Sequence, residues 1–515
     1  MRFDPRMSLF AALFAAGAAL AAPTSADAFC GFYVGGAGAQ MFNDATQVVM
    51  LREGTKTVLS MQNRYEGPLE NFALVVPVPQ VLMEANVKTL DPAVFDKIDT
   101  LTSPRLVEYW EQDPCNPSYP YDDVQAAADG GANNANEEGG GGQVTVEAQF
   151  KVGEYEIVIL STEDSTALET WLDTNDYTIP DGAGPYFEPY VQSNHYFFVA
   201  KVDPAEVNYE DGRAVLSPLR FHYDHPDFAL PVRLGMINSQ GKQDLIVYTL
   251  GKNQRYELAN YPNVTVPTNI EVVDDVRNDF AGFYRSLFDR TVKENPGAAV
   301  TEYSWPATGC DPCPGPVTLT PDDIQTLGAD VIGDGDYHSW VVTRLHMQYE
   351  KDHIGEDLML EEADPIVGGR EIRDADGKLE VGASPSEFNN FQARYIIRHR
   401  WEGPVECTDP VYGTWGGDPE SEDPWGGPSV SGNPSPNTTG DEVFATPAGE
   451  SARVEELVME DIPELGITAQ PKGSDGTKAE PGCSSTNAAN TVPAGILLVL
   501  GLAGTGVMRR RRRDR

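Results

Sequence analysis

The chain has 515 residues, 40% of them hydrophobic and 9% aromatic, which is enough to build a sizeable core in one or more domains. It carries 37 Lys+Arg against 79 Asp+Glu, a net charge of −42, and its last seven residues alone hold six of the Arg. A surface so acidic repels phosphate, which excludes nucleic acid as a partner and disfavours anionic lipid for the folded part.

Both ends read as addresses. Arg2 and Arg6 precede an apolar run from Leu9 to Ala22, and small residues follow, ending Ala26-Asp27-Ala28. This is the three-part pattern of a secretory signal peptide over residues 1–28, with cleavage expected after Ala28. The run is too short to span a bilayer comfortably. Cys30 is not read as a lipid attachment site, because Phe29 stands where a lipoprotein signal needs a small residue.

Residues 29–115 form a first β-rich block. Val48-Val49-Met50-Leu51 and Val58-Leu59-Ser60-Met61 flank Arg52-Glu53-Gly54-Thr55, which predicts a hairpin. Phe72 to Val78 predicts a further strand. Asp91-Pro92 predicts the start of a short helix, and Ser103-Pro104 that of a second helix running through Trp110. Residues 116–142 contain Asn133-Asn134-Ala135-Asn136-Glu137-Glu138 and four Gly from Gly139 to Gly142, and read as a linker.

Residues 143–298 form a second, α+β block. Strands are predicted at Val144–Phe150, Tyr155–Leu160, His195–Val202 and Leu245–Leu250, and helices at Thr166–Asp173 and Asp274–Val292. In the last, Val276, Phe280, Phe283, Leu287 and Phe288 share one face. Residues 299–415 form a third, β-rich block. Along His338–Tyr349 the residues Val341, Leu345, Met347 and Tyr349 alternate with Trp340, Arg344, His346 and Gln348. Along Ala393–Trp401 the residues Arg394, Arg398 and Arg400 are placed on a wet face.

Residues 416–491 are rich in Pro, Gly, Ser and Glu and read as a disordered stalk. Val492 to Met508 is an apolar stretch interrupted by Gly495, Gly501, Gly504 and Gly506, about 17 residues and so at the short limit for a transmembrane helix. Residues 509–515 are an Arg-rich tail that the positive-inside rule places in the cytoplasm. The fold class expected from the whole is α+β and β-rich: antiparallel sheets with a few helices, disulfide-stapled, followed by the stalk and one C-terminal transmembrane helix.

Two resemblances add to this reading. The order Pro481-Gly482-Cys483-Ser484-Ser485, weak apolar helix, Arg cluster resembles the myxobacterial sorting signal called MYXO-CTERM. That resemblance implies processing at Cys483 by a sorting protease and display at the cell surface. The motifs Phe29-Cys30-Gly31-Phe32-Tyr33-Val34, Thr57–Asn63, Val75-Val76-Pro77-Val78-Pro79, Glu108–Cys115 and Phe391–His399 together resemble the bacterial family called domain of unknown function 2330, over roughly residues 29–415. The family brings no reaction, ligand or catalytic residue with it.

The six cysteines are Cys30, Cys115, Cys310, Cys313, Cys407 and Cys483. In an exported chain disulfides are the default. With Cys483 assigned to sorting, five remain and one is left over. Cys30 and Cys115 bracket the first block and are expected to pair; closing a loop of about 85 residues contributes roughly 4 kcal/mol in the chain-entropy model. One of Cys310 and Cys313 is expected to join Cys407. A redox reading of Cys310-Asp311-Pro312-Cys313 is the sharper alternative, but Pro314-Gly315-Pro316 opposes a helix there and Asp311 disfavours a thiolate.

Metal ligation is the less common use of the histidines His222 and His225 around Asp224, and of His346, His353 and Glu356; neither grouping has an established ligand spacing. Asp334-Gly335-Asp336 and Asp374-Ala375-Asp376-Gly377 leave calcium as a weak option, since Asp-Gly is also an ordinary turn. No other cofactor is indicated. The sequence therefore predicts an exported, surface-anchored envelope protein with a structural or binding role and an extracellular ligand of unspecified kind. The alternatives are an envelope enzyme whose site is assembled from distant residues, and a thiol–disulfide redox protein using Cys310 and Cys313.

Overall fold

In a computed structural model of the chain, the structure describes residues 32–34, 42–66, 73–116, 145–175, 177, 182–210, 213–237, 243–310, 318–333, 335–349, 355–372, 379–418, 429–431 and 453–471. The first stretch contributes β1 (Phe32–Val34), β2 (Phe42–Glu53), β3 (Lys56–Glu66), β4 (Ala73–Val78), β5 (Val87–Thr89), α1 (Ala93–Thr102) and β6 (Arg105–Glu111). Then come β7 (Thr145–Val152), β8 (Tyr155–Ser161), α2 (Ser165–Thr174), α3 (Gly184–Gln192), β9 (Tyr196–Val202), β10 (Asn208–Glu210), β11 (Arg213–Val215) and β12 (Leu219–Asp224). They are followed by β13 (Ala229–Leu230), β14 (Gln243–Lys252), β15 (Arg255–Leu258), β16 (Asn263–Thr265), β17 (Ile270–Glu271), α4 (Phe280–Glu294) and β18 (Ala299–Pro306). The last are β19 (Trp340–Tyr349), β20 (Leu358–Ala363), β21 (Ile366–Gly368), β22 (Ser384–Pro385), β23 (Asn390–Gln392), β24 (Arg394–His399), β25 (Trp415–Gly416) and β26 (Ser429–Ser431).

One large sheet organises the molecule, in the order β22-β21-β23-β18-β19-β14-β2-β3-β12-β5 with β16 beside β18. Its centre joins all three compositional blocks: β2 runs parallel to β14, with Val48 opposite Val247, and β14 runs antiparallel to β19. The blocks are thus interleaved in a single sheet. The 48–61 hairpin forms as expected, turning at Gly54, whose φ of +57° suits glycine.

Both faces of this sheet are covered, and the period-two alternation of its strands feeds two different cores. Val48, Met50, Leu245, Val247, Leu345 and Met347 pack on one side with Leu74, Ile157 and Phe198 of a second sheet, ordered β1-β4-β9-β8-β7. Val49, Leu51, Ile246, Tyr248 and Val342 pack on the other side with Phe95 and Ile98 of α1. The outer face of the second sheet is capped by α2 and α3 through Leu168, Leu172 and Phe187. The predicted helix over 274–292 divides at Asp279. A 3-10 turn, Asp274–Asn278, precedes α4, and the Asp279 carboxylate caps α4 by accepting from the Gly282 amide.

Four expectations are corrected. The run Leu106–Trp110 is strand β6 and not a helix: α1 ends at Thr102, Pro104 blocks its continuation, and the β-branched and aromatic residues that follow pair in parallel with β24, Trp110 opposite His399. Arg394 does not face water. It is fully buried, donating from Nε to Asn269 Oδ1 (2.7 Å) and from Nη1 to the Tyr109 hydroxyl (2.9 Å). Trp340, Arg344 and His346 are also buried, because a strand covered on both faces has no wet side.

The assignment of 416–491 as a disordered stalk fails in two places. Ser429–Ser431 pairs with β6, and residues 453–471 fold back as a strap. In the strap Val454, Val458, Ile462, Leu465 and Ile467 are buried against Val272, Val276 and Leu287, and the Val273 amide donates to the Leu457 carbonyl at 2.9 Å. An apolar residue every two to four positions gives this acidic segment a face to bury.

The expected Cys30–Cys115 pairing is overturned as well. Cys115 is bonded to Cys407, 292 residues away, with their Cα atoms 5.5 Å apart. The parallel β6–β24 pair sends both chains out of the sheet at the same end, which brings these two residues together. Cys407 is therefore not available to Cys310 or Cys313.

The described residues belong to a compact unit spanning residues 1–473, and residues 474–515 lie outside them. Among the described residues no helix is long and apolar enough to cross a membrane. The predicted signal peptide with Ala28, the linker 116–142, the apolar stretch 492–508, and Cys30, Cys313 and Cys483 fall outside the described residues.

Candidate ligand pocket

Two histidines, three acids and an arginine from four separated segments meet in a pocket of about 180 Å³, where the end of β4 and the start of β9 in the second sheet adjoin β12, β13 and β20. Pro77 and Pro79, at the exit of β4, form one wall. Pro77 is still paired within β4, and Pro79, with φ fixed and no backbone donor, stands just past its end. Tyr190 comes from the last turn of α3, and His195 follows it immediately before β9. His225 and Asp227 lie just past β12, Arg233 opens the 3-10 turn Arg233–Ile237, and Glu356 and Asp357 precede β20.

Asp357 is the fixed point. Its Oδ1 accepts from the Tyr190 hydroxyl (2.7 Å) and from the backbone amides of Val232 (2.9 Å) and Arg233 (3.2 Å). The loop that carries it is clamped from outside. Asn260 Nδ2 donates to the Asp357 carbonyl (2.8 Å), and the Tyr261 hydroxyl donates to the Glu356 carbonyl (2.7 Å). Burial and the Asp357 charge hold the Tyr190 hydroxyl well above its usual range, so it remains a donor.

The two imidazoles stand with ring centroids 6.2 Å apart. Burial first, and His225 second, push His195 below the ordinary histidine value, against the Asp357 and Asp227 carboxylates and the nearby Ser193 backbone. His195 is therefore neutral at neutral pH. Its Nδ1 is buried without a hydrogen bond of acceptable geometry among the described residues, and so is Arg233 Nε. Groups of this kind, convergent on a concavity, define a small polar binding pocket. No Ser, Thr, Cys or Lys lines it, so among the described residues it presents no serine, threonine, cysteine or lysine nucleophile.

Other strongly shifted groups, Glu302, His346 and Arg344, lie elsewhere, in the large sheet, bound to Asp244 and to Asp99 of α1. Perturbed titration often marks a functional site. Here the groups are buried and bound to one another, and they act as scaffold. A larger trough of about 470 Å³ beside Arg255 is less specific: Arg255 is already engaged by the Asp364 carbonyl and Glu257.

The histidine groupings suggested by the sequence are not brought together. His222 Nε2 contacts Asn86 Nδ2 at 3.0 Å, whereas His225 enters the pocket. His346 is sealed in the sheet between Glu302 and Asp244, whereas Glu356 lines the pocket. His353 and the turn 374–377 lie outside the described residues, as does Asp334; Asp336 caps a 3-10 turn by accepting from the His338 amide. No cluster of three or more His, Cys, Asp or Glu side chains placed to hold a metal occurs among the described residues. Cys310 is disulfide-bonded. The pocket itself has no local signature, since its residues come from points between Pro77 and Met359.

Fold and pocket together define a β-rich α+β protein, closed by a long-range disulfide and carrying a small polar cavity. The chain belongs to the bacterial family described as "Uncharacterized protein conserved in bacteria (DUF2330)", which matches residues 24–361. The match ends short of the expected residue 415, leaving Phe391–His399 beyond it, yet it contains every pocket residue named above. No curated protein matches the chain. Among solved structures, the "crystal structure of baculovirus P35" aligns at 13% identity over 42% of this chain and 65% of that one, with a TM-score of 0.19, and carries no weight for fold or function.

Proposed function

We propose that this is an exported protein of the bacterial cell envelope that is held at the surface by its C-terminal segment and binds a small ligand. The observation that carries the reading is the Cys115–Cys407 bond, which closes a loop of most of the folded chain. Such a bond persists in an oxidising compartment outside the cytoplasm. The signal-like residues 1–28 and the Cys483–Arg513 pattern supply a matching route and anchor. The pocket, with convergent polar groups and no Ser, Thr, Cys or Lys among its described lining residues, supports binding over catalysis.

The anchor is tested at Cys483. Deleting residues 483–515 is expected to release folded protein into the medium, and Cys483→Ala to leave uncut protein in the inner membrane. Display of the Ala variant indistinguishable from the unaltered protein would remove any sorting role from Cys483 and leave a plain tail anchor.

A further inference from the structure

Three groups in the pocket offer polar hydrogen-bonding atoms or a positive charge, and they arrive from separate elements. His225 Nδ1 accepts from the Asp227 amide at 3.2 Å, which in a neutral ring leaves the proton on Nε2. Arg233 Nε makes no hydrogen bond; the nearest carboxylate oxygen, Asp357 Oδ1, is 3.9 Å away and already accepts three others. His195 Nδ1 is buried and makes no hydrogen bond of acceptable geometry among the described residues. A buried polar group left unpaired costs about 1–3 kcal/mol, so the two around this cavity, with His225 Nε2 beside them, favour a ligand that brings polar atoms to them. With His195 held neutral, Arg233 is the fixed positive charge, and a guanidinium matches a carboxylate.

The mouth has the opposite character. Asp227 and Glu356 are both exposed there. A second negative charge on the ligand would face them, whereas an ammonium would be held. The walls between are apolar, from Pro79, Ala229, Pro231 and Met359. The volume of about 180 Å³ is below the roughly 300 Å³ at which pockets begin to take drug-sized molecules.

We propose that the pocket binds a small zwitterion of the amino-acid type, its carboxylate among Arg233, His225 and His195 and its ammonium toward Asp227 and Glu356. The proposal rests on the reading of this pocket as a ligand site.

Calorimetric titration of the purified full-length chain tests it, with L-alanine, N-acetyl-L-alanine, L-alaninamide and succinate as probes. L-Alanine is expected to bind, the three others at least tenfold more weakly, and Arg233→Gln and His225→Ala each to weaken L-alanine at least tenfold while the melting temperature holds. N-acetyl-L-alanine or succinate binding as tightly as L-alanine would overturn the zwitterion. So would L-alanine binding unchanged in both variants. L-Alaninamide binding the unaltered chain as tightly as L-alanine, and Arg233→Gln more weakly, would leave the pocket a ligand site and overturn only its assignment. No binding by any probe would overturn both.

Discussion

His346 Nδ1 lies 2.8 Å from Glu302 Oε1, with both side chains wholly buried. Arg344 donates to the other Glu302 oxygen at 2.6 Å and to Asp99 at 2.5 Å; Asp244 faces His346 Nε2 at 3.1 Å, and the Phe288 ring stacks on the imidazole at 3.8 Å. Burial opposes the charge on Glu302, but the facing His346 and Arg344 outweigh it and hold the carboxyl at about 2. Burial likewise opposes the charge on His346, and Glu302 and Asp244 overcome it, raising the imidazole to about 9.

This pair predicts two pH limbs of stability. The Glu302 value is depressed on folding, so its contribution is present above the ordinary 4.5 and is lost as pH falls toward about 2. The His346 value is raised, so its contribution is full below the ordinary 6.5 and is lost as pH rises through about 9. Denaturant melts across pH should show the alkaline fall, and His346→Leu should flatten it. An alkaline limb unchanged in that variant would assign the fall to other groups. Glu302→Leu, which leaves Arg344 and His346 facing each other, should cost about 3–5 kcal/mol at neutral pH.

The strap gives a second test. Ile462 is buried against the α4 core, and Arg290 Nε donates to the Leu465 carbonyl at 2.9 Å. Ile462→Ala should destabilise the fold by about 2–5 kcal/mol. Ending the chain after residue 471 should leave stability unchanged, whereas ending it before residue 453 should lower the melting temperature sharply. Equal melting temperatures for the two truncations would show that the strap contributes nothing.

The cysteines give a third. Cys115→Ser and Cys407→Ser should each destabilise the fold by about 2–5 kcal/mol, and by the same amount as the double variant, since either one breaks the same bond. Cys30→Ser should leave that bond in place. The check is non-reducing peptide mapping beside the melts; a Cys30–Cys115 peptide would refute the assignment.

What was legible in the sequence was local. The 48–61 hairpin, the strands around Val158 and Val247, and the apolar face of α4 depend on residues a few positions apart, and their periodicity shows directly. What escaped depends on partners distant in the chain. The strand state of Leu106–Trp110 comes from pairing with β24, nearly 300 residues on. Arg394 reads as solvated until Asn269 and Tyr109 are placed beside it. The disulfide follows from that same parallel pair. The pocket was invisible because His195, His225, Arg233 and Asp357 share no spacing, only a location.

Export into an oxidising compartment is the central claim, and mass spectrometry of the protein recovered from the surface of the producing bacterium tests it most directly. The sample is alkylated at once, digested without reductant and mapped, and its N-terminus is read from the same digest. The account predicts a chain beginning at Phe29 and a cross-linked peptide containing Cys115 and Cys407. An intact leader, with both cysteines alkylated before any reductant is added, would contradict it.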